Sequence, residues 1–108
     1  MSGHLSCVLE LLHEDMVSHG QLVQCIEQQG GPAPNWKDVV AALLSCEVEM
    51  GEAKLASTDY VEFIAWTGTV DERVLRAAQR VASLASRDRE FAYWLALRKN
   101  VDRFEENS

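Results

Sequence analysis

His4 and Cys7 lie three residues apart, a spacing at which two side chains on one helix face can hold a metal ion. A structural zinc site needs four ligands. The other cysteines, Cys25 and Cys46, arrive singly, so no metal is predicted. Glu10 and His13 repeat the spacing used in helical di-iron bundles, which need a second Glu-x-x-His and further inward glutamates; the chain has no second copy. Glu47, Glu49 and Glu52 crowd one segment. Burial can split such carboxylates into an acid and a base, but on an alternating exposed stretch they read as a solvated face. No glycine-rich phosphate loop, Ser/His/Asp arrangement or His-Glu-x-x-His occurs. The residue types therefore predict no catalysis, cofactor or metal.

A row of arginines remains. Arg73, Arg76 and Arg80 recur at i, i+3 and i+7, with Arg87 one heptad further on. Their planar donors suit carboxylate or phosphate partners. The plainer expectation is an exposed helix face, some arginines pairing with Glu10, Glu14 or Glu47–Glu52 for ~0–1 kcal/mol each. Aromatic residues cluster late, from Tyr60 to Phe104, with only Trp36 before them. Phe63, Ile64, Phe91 and Leu95 fit inward faces, whereas Trp66 and Trp94, with Leu97, are the candidates for an apolar patch. The candidate partner-binding residues are thus Arg73, Arg76, Arg80, Arg87, Trp66 and Trp94.

The elements that would position them read as helices throughout. Leu5, Val8, Leu9, Leu12 and Met16 make an i, i+3, i+4, i+7 stripe, interrupted at His19-Gly20. Leu22, Val23 and Ile26 continue to Gly30-Gly31, and the run Gly-Gly-Pro-Ala-Pro-Asn predicts a loop. Asn35 caps the next helix; Asp59 with Glu62, and Thr69 with Glu72, resemble capping boxes for two more. The run Phe91–Leu97, apolar on all sides, predicts a last helix surrounded by the others. The expectation is one domain, 1–108, an all-α compact bundle with helices near 4–18, 20–29, 36–56, 60–67, 70–86 and 88–104. Shared Val, Ile and Gly positions in Gln21–Gly30 and Asp59–Gly68 raise a duplicated helical hairpin as its origin.

Composition bounds the function. The chain has 108 residues, 47% hydrophobic and 25% charged, enough for one modest core and too apolar for disorder. Its net charge of −7 arises wholly in residues 1–60, where nine acids face two lysines. That charge repels nucleic acid and anionic membrane at long range. Neither a signal peptide nor a membrane span is expected. Three scattered cysteines suggest buried thiols in a reducing cytoplasm. The resulting expectation is a small acidic cytoplasmic protein–protein interaction module of regulatory, adaptor or inhibitor type, non-catalytic, with an unknown protein partner or a homodimer. The alternatives are a small enzyme or ligand-binding protein with an inter-helical pocket, and nucleic-acid binding through the Arg73–Arg87 face.

Overall fold

The computed structural model describes residues 2–28, 35–57 and 60–101. In chain order it runs α1 (Ser2–Glu14), β1 (Val17–Ser18), α2 (His19–Gln28), α3 (Trp36–Leu44), β2 (Val48–Ser57), β3 (Tyr60–Ala65), α4 (Val70–Ser83), a 3-10 helix (Arg89–Phe91) and β4 (Trp94–Leu97). Residues 98–101 turn helical again. The four strands form one antiparallel sheet in the order β1-β4-β2-β3. This overturns the all-α bundle: the fold is mixed, with helices packed on a sheet.

The correction has a local cause at each strand. The helix expected over 36–56 begins as predicted, Asn35 accepting the Lys37 N–H at 3.0 Å, but ends at Leu44. Ser45 closes it, donating its hydroxyl to the Ala41 carbonyl at 2.9 Å. Beyond it Val48 and Met50 are buried while Glu47 is exposed and Glu49 half-buried, an alternation of period two. The helix expected over 60–67 is β3, rich in β-branched and aromatic residues. The one expected over 88–104 is divided, over its described residues, into the 3-10 helix, β4 and the helical residues 98–101, while 102–104 lie outside the described residues. Its apolar run supplies an inner strand rather than a helix surrounded by others, with Leu95 and Ala96 fully buried and Phe91 exposed. The first helix stops at Glu14 rather than continuing to 18, and His19-Gly20 opens α2 instead of interrupting it. Because Gln21–Gln28 is helical and Tyr60–Ala65 extended, the two segments are no duplicated hairpin. Asp59 and the loop over 30–34 lie outside the described residues.

One sheet face carries Val17, Val48, Met50, Leu95 and Leu97, buried against α1, α2, α3 and α4 in the main core. Cross-strand partners share a face, so Ala96, Trp94 and Phe63 project to the other side. There Phe63, Ala96 and Val101 form a second, smaller cluster, with Met16 and Trp94 packed on it. Asn100, nearly buried, ties this end to α1 by donating its amide to the Leu12 carbonyl at 3.2 Å. Before α4, Gly68 adopts φ +117°, where a side chain is strained, and Thr69 and Glu72 complete the expected capping box.

Cys7 and Cys25 are joined in a disulfide between α1 and α2, their Cα atoms 5.9 Å apart, and Cys46 is a free, exposed thiol. The expected set of three free thiols is corrected accordingly. Helical phase places Cys7 on the side of α1 that meets α2, and both helices pack in the same core. The bond closes a sequence separation of 18 residues. Reduction is expected to lower stability by about 3 kcal/mol, read as a lower urea midpoint with dithiothreitol, and the double variant Cys7→Ala/Cys25→Ala should not respond to it. No helix of the described residues is long and apolar enough to cross a membrane.

Candidate docking surface

Between α4 and β4 the chain is pinned by several of its own hydrogen bonds. Asp88 and Arg89 donate their N–H groups to the Ala85 carbonyl, Phe91 to Asp88 and Ala92 to Arg89, at 2.9–3.1 Å. The side chains of Arg89 and Arg80 reach back as well: Nε of Arg89 donates to the Leu84 carbonyl at 3.1 Å, and Nε of Arg80 to Ala92 at 2.6 Å. This fixed backbone holds Phe91 outward. Phe91 is 53% exposed, and its ring stacks on Trp94 with centroids 5.9 Å apart and planes 18° from parallel. A large aromatic left in water on an immobilised segment lowers the cost of burying it against something else.

Depressions flank this aromatic shelf. One is an open groove of about 610 Å³ between the end of α1, the start of α2 and the 3-10 helix, where Asp15, Gln21, Gln24 and Glu90 surround the aromatic pair. The other, about 200 Å³, lies toward β2, with Glu52, Lys54 and Arg80 beside the same two rings. Gly20 sets the groove's width: a Cβ there would fall 2.5 Å from the Glu90 Cβ, so only glycine lets α2 and the 3-10 helix come this close. The groove also runs along β1, a sheet edge that is already closed. Asp15 Oδ1 accepts the Met16 N–H at 2.7 Å, and Gln21 Oε1 accepts the Ser18 N–H at 2.9 Å.

The predicted arginine row is divided among different tasks. Arg73 pairs with Glu49 at 3.4 Å and Arg80 with Glu52 at 3.3 Å, so Glu49 and Glu52 are ion-pair partners across the fold rather than a solvated face. Arg98 also reaches Glu49, at 2.9 Å. Arg76 lies over the Trp66 ring, 4.2 Å from its centroid. Arg87 falls past the end of α4, in an exposed turn. Trp66 itself is 5% exposed and part of the main core, and its indole N–H has no partner among the described residues. Of the six candidate partner-binding residues, only Trp94 and Arg80 line the cavities beside the shelf. Phe91, the residue that makes the surface, was assigned inward by helical phase together with Phe63, Ile64 and Leu95. Phe63 and Leu95 are indeed inward, whereas Ile64 is 36% exposed.

Other chemistry is already engaged. His19 and Tyr93 are hydrogen-bonded at 2.9 Å between Nδ1 and the hydroxyl, the donor being set by the imidazole tautomer. Trp36 stacks on Tyr93 at 5.6 Å and meets His19 edge-on at 4.7 Å. Burial lowers the His19 pKa and raises that of Tyr93, in both cases favouring the neutral form. Since unfolded His19 takes up a proton near pH 6.5 that the folded protein refuses, stability is complete above that pH and falls below it. The urea midpoint is expected to drop between pH 7.5 and 5.5, by less than about 1.4 kcal/mol per pH unit, and His19→Gln should reduce the drop. Cys7 is committed to its disulfide, and His4 has no described side chain. Among the described residues no three His, Cys, Asp or Glu side chains converge on a metal-sized site. The chain matches no protein-family model, no curated protein and no solved structure.

Proposed function

We propose that this protein is a small, non-catalytic protein–protein interaction module that docks a partner on the shelf formed by Phe91 and Trp94. The observation that carries this reading is the half-exposed Phe91 ring, stacked on Trp94 and held outward by a hydrogen-bonded backbone between the two depressions. Such rigid aromatic anchors beside pockets are what dominate interface energetics. The rival nucleic-acid reading loses support because Arg73 and Arg80 are bound to the protein's own Glu49 and Glu52. The inter-helical-pocket enzyme loses support because Ser18 and His19, next to the groove, are buried and hydrogen-bonded within the fold.

The cytoplasmic setting expected from the cysteine pattern is opposed by the Cys7–Cys25 bond, since structural disulfides are rare in reducing compartments. Counting alkylatable thiols in protein from its own host decides the point: Cys46 alone if the bond persists there, all three cysteines if it does not.

The docking reading is tested by affinity enrichment from host extract with the parent chain, Phe91→Ala and Leu75→Ala. Leu75 is the control, since it is 60% exposed on α4 and lines neither depression. A bound protein should be depleted by at least about tenfold with Phe91→Ala and unchanged with Leu75→Ala, at equal melting temperatures. Equal recovery with all three chains would overturn the reading.

A further inference from the structure

We infer that the partner lays a basic segment along the groove between α2 and the 3-10 helix, an arginine or lysine flanked by apolar side chains. The inference rests on the docking reading above and adds the chemistry of the occupant.

The two depressions share their aromatic wall but differ in charge. The smaller one holds Glu52 beside Arg80 and Lys54, and the Glu52–Arg80 ion pair neutralises it from within. Among the described residues, Asp15 and Glu90 are the ionisable groups lining the larger groove. The ion pairs among the described residues join Arg73 and Arg98 to Glu49 and Arg80 to Glu52, and none uses Asp15 or Glu90. A cationic side chain therefore meets two carboxylates with no ion-pair partner among the described residues in one depression, and an occupied ion pair in the other.

Glu90 is also held in place. Its Cβ and Cα fill the space that Gly20 leaves open, its carboxylate lies against Gly20, and Phe91 lines the same groove. A guanidinium placed there can stack on the ring while donating to the carboxylate, which a neutral side chain cannot do. Apolar neighbours in the occupant would cover the rest of Phe91 and Trp94. The closed edge of β1 excludes an added strand, because the outward N–H groups of Met16 and Ser18 are taken. Recognition is then by side chains, helped by the exposed amides of Gln21 and Gln24. The net charge of −7 steers a basic segment toward the molecule, an effect that weakens with salt.

The test is selection of phage-displayed random dodecapeptides on the immobilised full chain at about 0.15 M salt. Recovered sequences are then synthesised and their binding measured by fluorescence polarisation. The expected peptides carry net positive charge, with Arg or Lys next to aliphatic or aromatic residues. Their affinity should fall by about tenfold or more with Glu90→Arg and with Phe91→Ala. Glu47→Arg makes the same change in net charge at an exposed position before β2, and should stay within about twofold of the parent. Neutral or acidic peptides that depend on Phe91 would overturn the basic occupant and leave the docking surface standing. Peptides indifferent to Phe91→Ala would overturn both. Equal weakening by Glu90→Arg and Glu47→Arg would reduce the effect to net charge, and recovery of no binding peptide would also overturn the inference.

Discussion

Gly51→Ala is expected to destabilise the protein by about 3 kcal/mol or more, through backbone overlap that no rotamer change can relieve. Gly51 is buried in β2 at the middle of the sheet, paired with Ala65 on one side and Trp94 on the other. A methyl group there would overlap the Ile64 carbonyl and come within 2.8 Å of the Ala65 Cα. Both are main-chain atoms of β3, so the strand pair itself would have to open. Gly68→Ala is the comparison: its strain comes from φ +117°, while the nearest atom, at 3.5 Å, is the movable Glu72 side chain. It should cost only about 1 kcal/mol. Urea unfolding monitored by far-UV circular dichroism measures both variants, and a loss below about 1 kcal/mol at Gly51 would show that β2 and β3 separate more readily than this packing implies.

Leu95→Ala should cost about 2–5 kcal/mol, the range for removing a fully buried leucine side chain from a core that cannot collapse around the gap. Leu95 is 0% exposed, lies on the inner strand β4, and faces the main core opposite Val17 and Met50. Relaxation is limited because β4 is bonded on both sides, to β1 and to β2. A deletion one residue away tests the two-faced burial: Trp94→Ala removes a half-buried ring from the smaller cluster and should cost less stability than Leu95→Ala. The denaturant midpoints of the two variants check the order, and a reversed order would move the core to the other face of the sheet.

Much of the helical half was legible residue by residue. Asn35 caps α3, Thr69 and Glu72 cap α4, and Leu5, Val8, Leu9 and Leu12 of α1 with Leu22 and Ile26 of α2 face the core as a 3.6-residue period places them. Caps are local, made within three residues, so a single sequence contains all that they need. The strands were misread because short apolar runs fit either period. Val48 and Met50 alternate with Glu47 and Glu49, and Tyr60–Ala65 is dense in β-formers; both signals were present but short. The run Tyr93–Leu97 reads equally well as a buried helix or an inner strand, since neither leaves a polar face.

The docking surface suffered most from that ambiguity. In a helix Phe91 and Leu95 share a face at i, i+4; with the 3-10 helix ending between them, they part, one into water and one into the core. The partition of the arginines was equally non-local, since Glu49 and Glu52 meet α4 only once β2 is laid beside it. Cys7 and Cys25 likewise meet because α1 and α2 pack together, which spacing alone does not report.

Composition and local pattern by themselves determined a small acidic chain, where its capped helices α3 and α4 start, and an apolar run near residue 95. Tertiary structure decided that this run is a strand, which aromatic ring stays outside, and which charges are used up within the fold. The physical reason is range: caps and periodicity are satisfied within a few residues, whereas hydrogen bonding between strands and ion pairing across the core depend on residues brought together from distant parts of the chain.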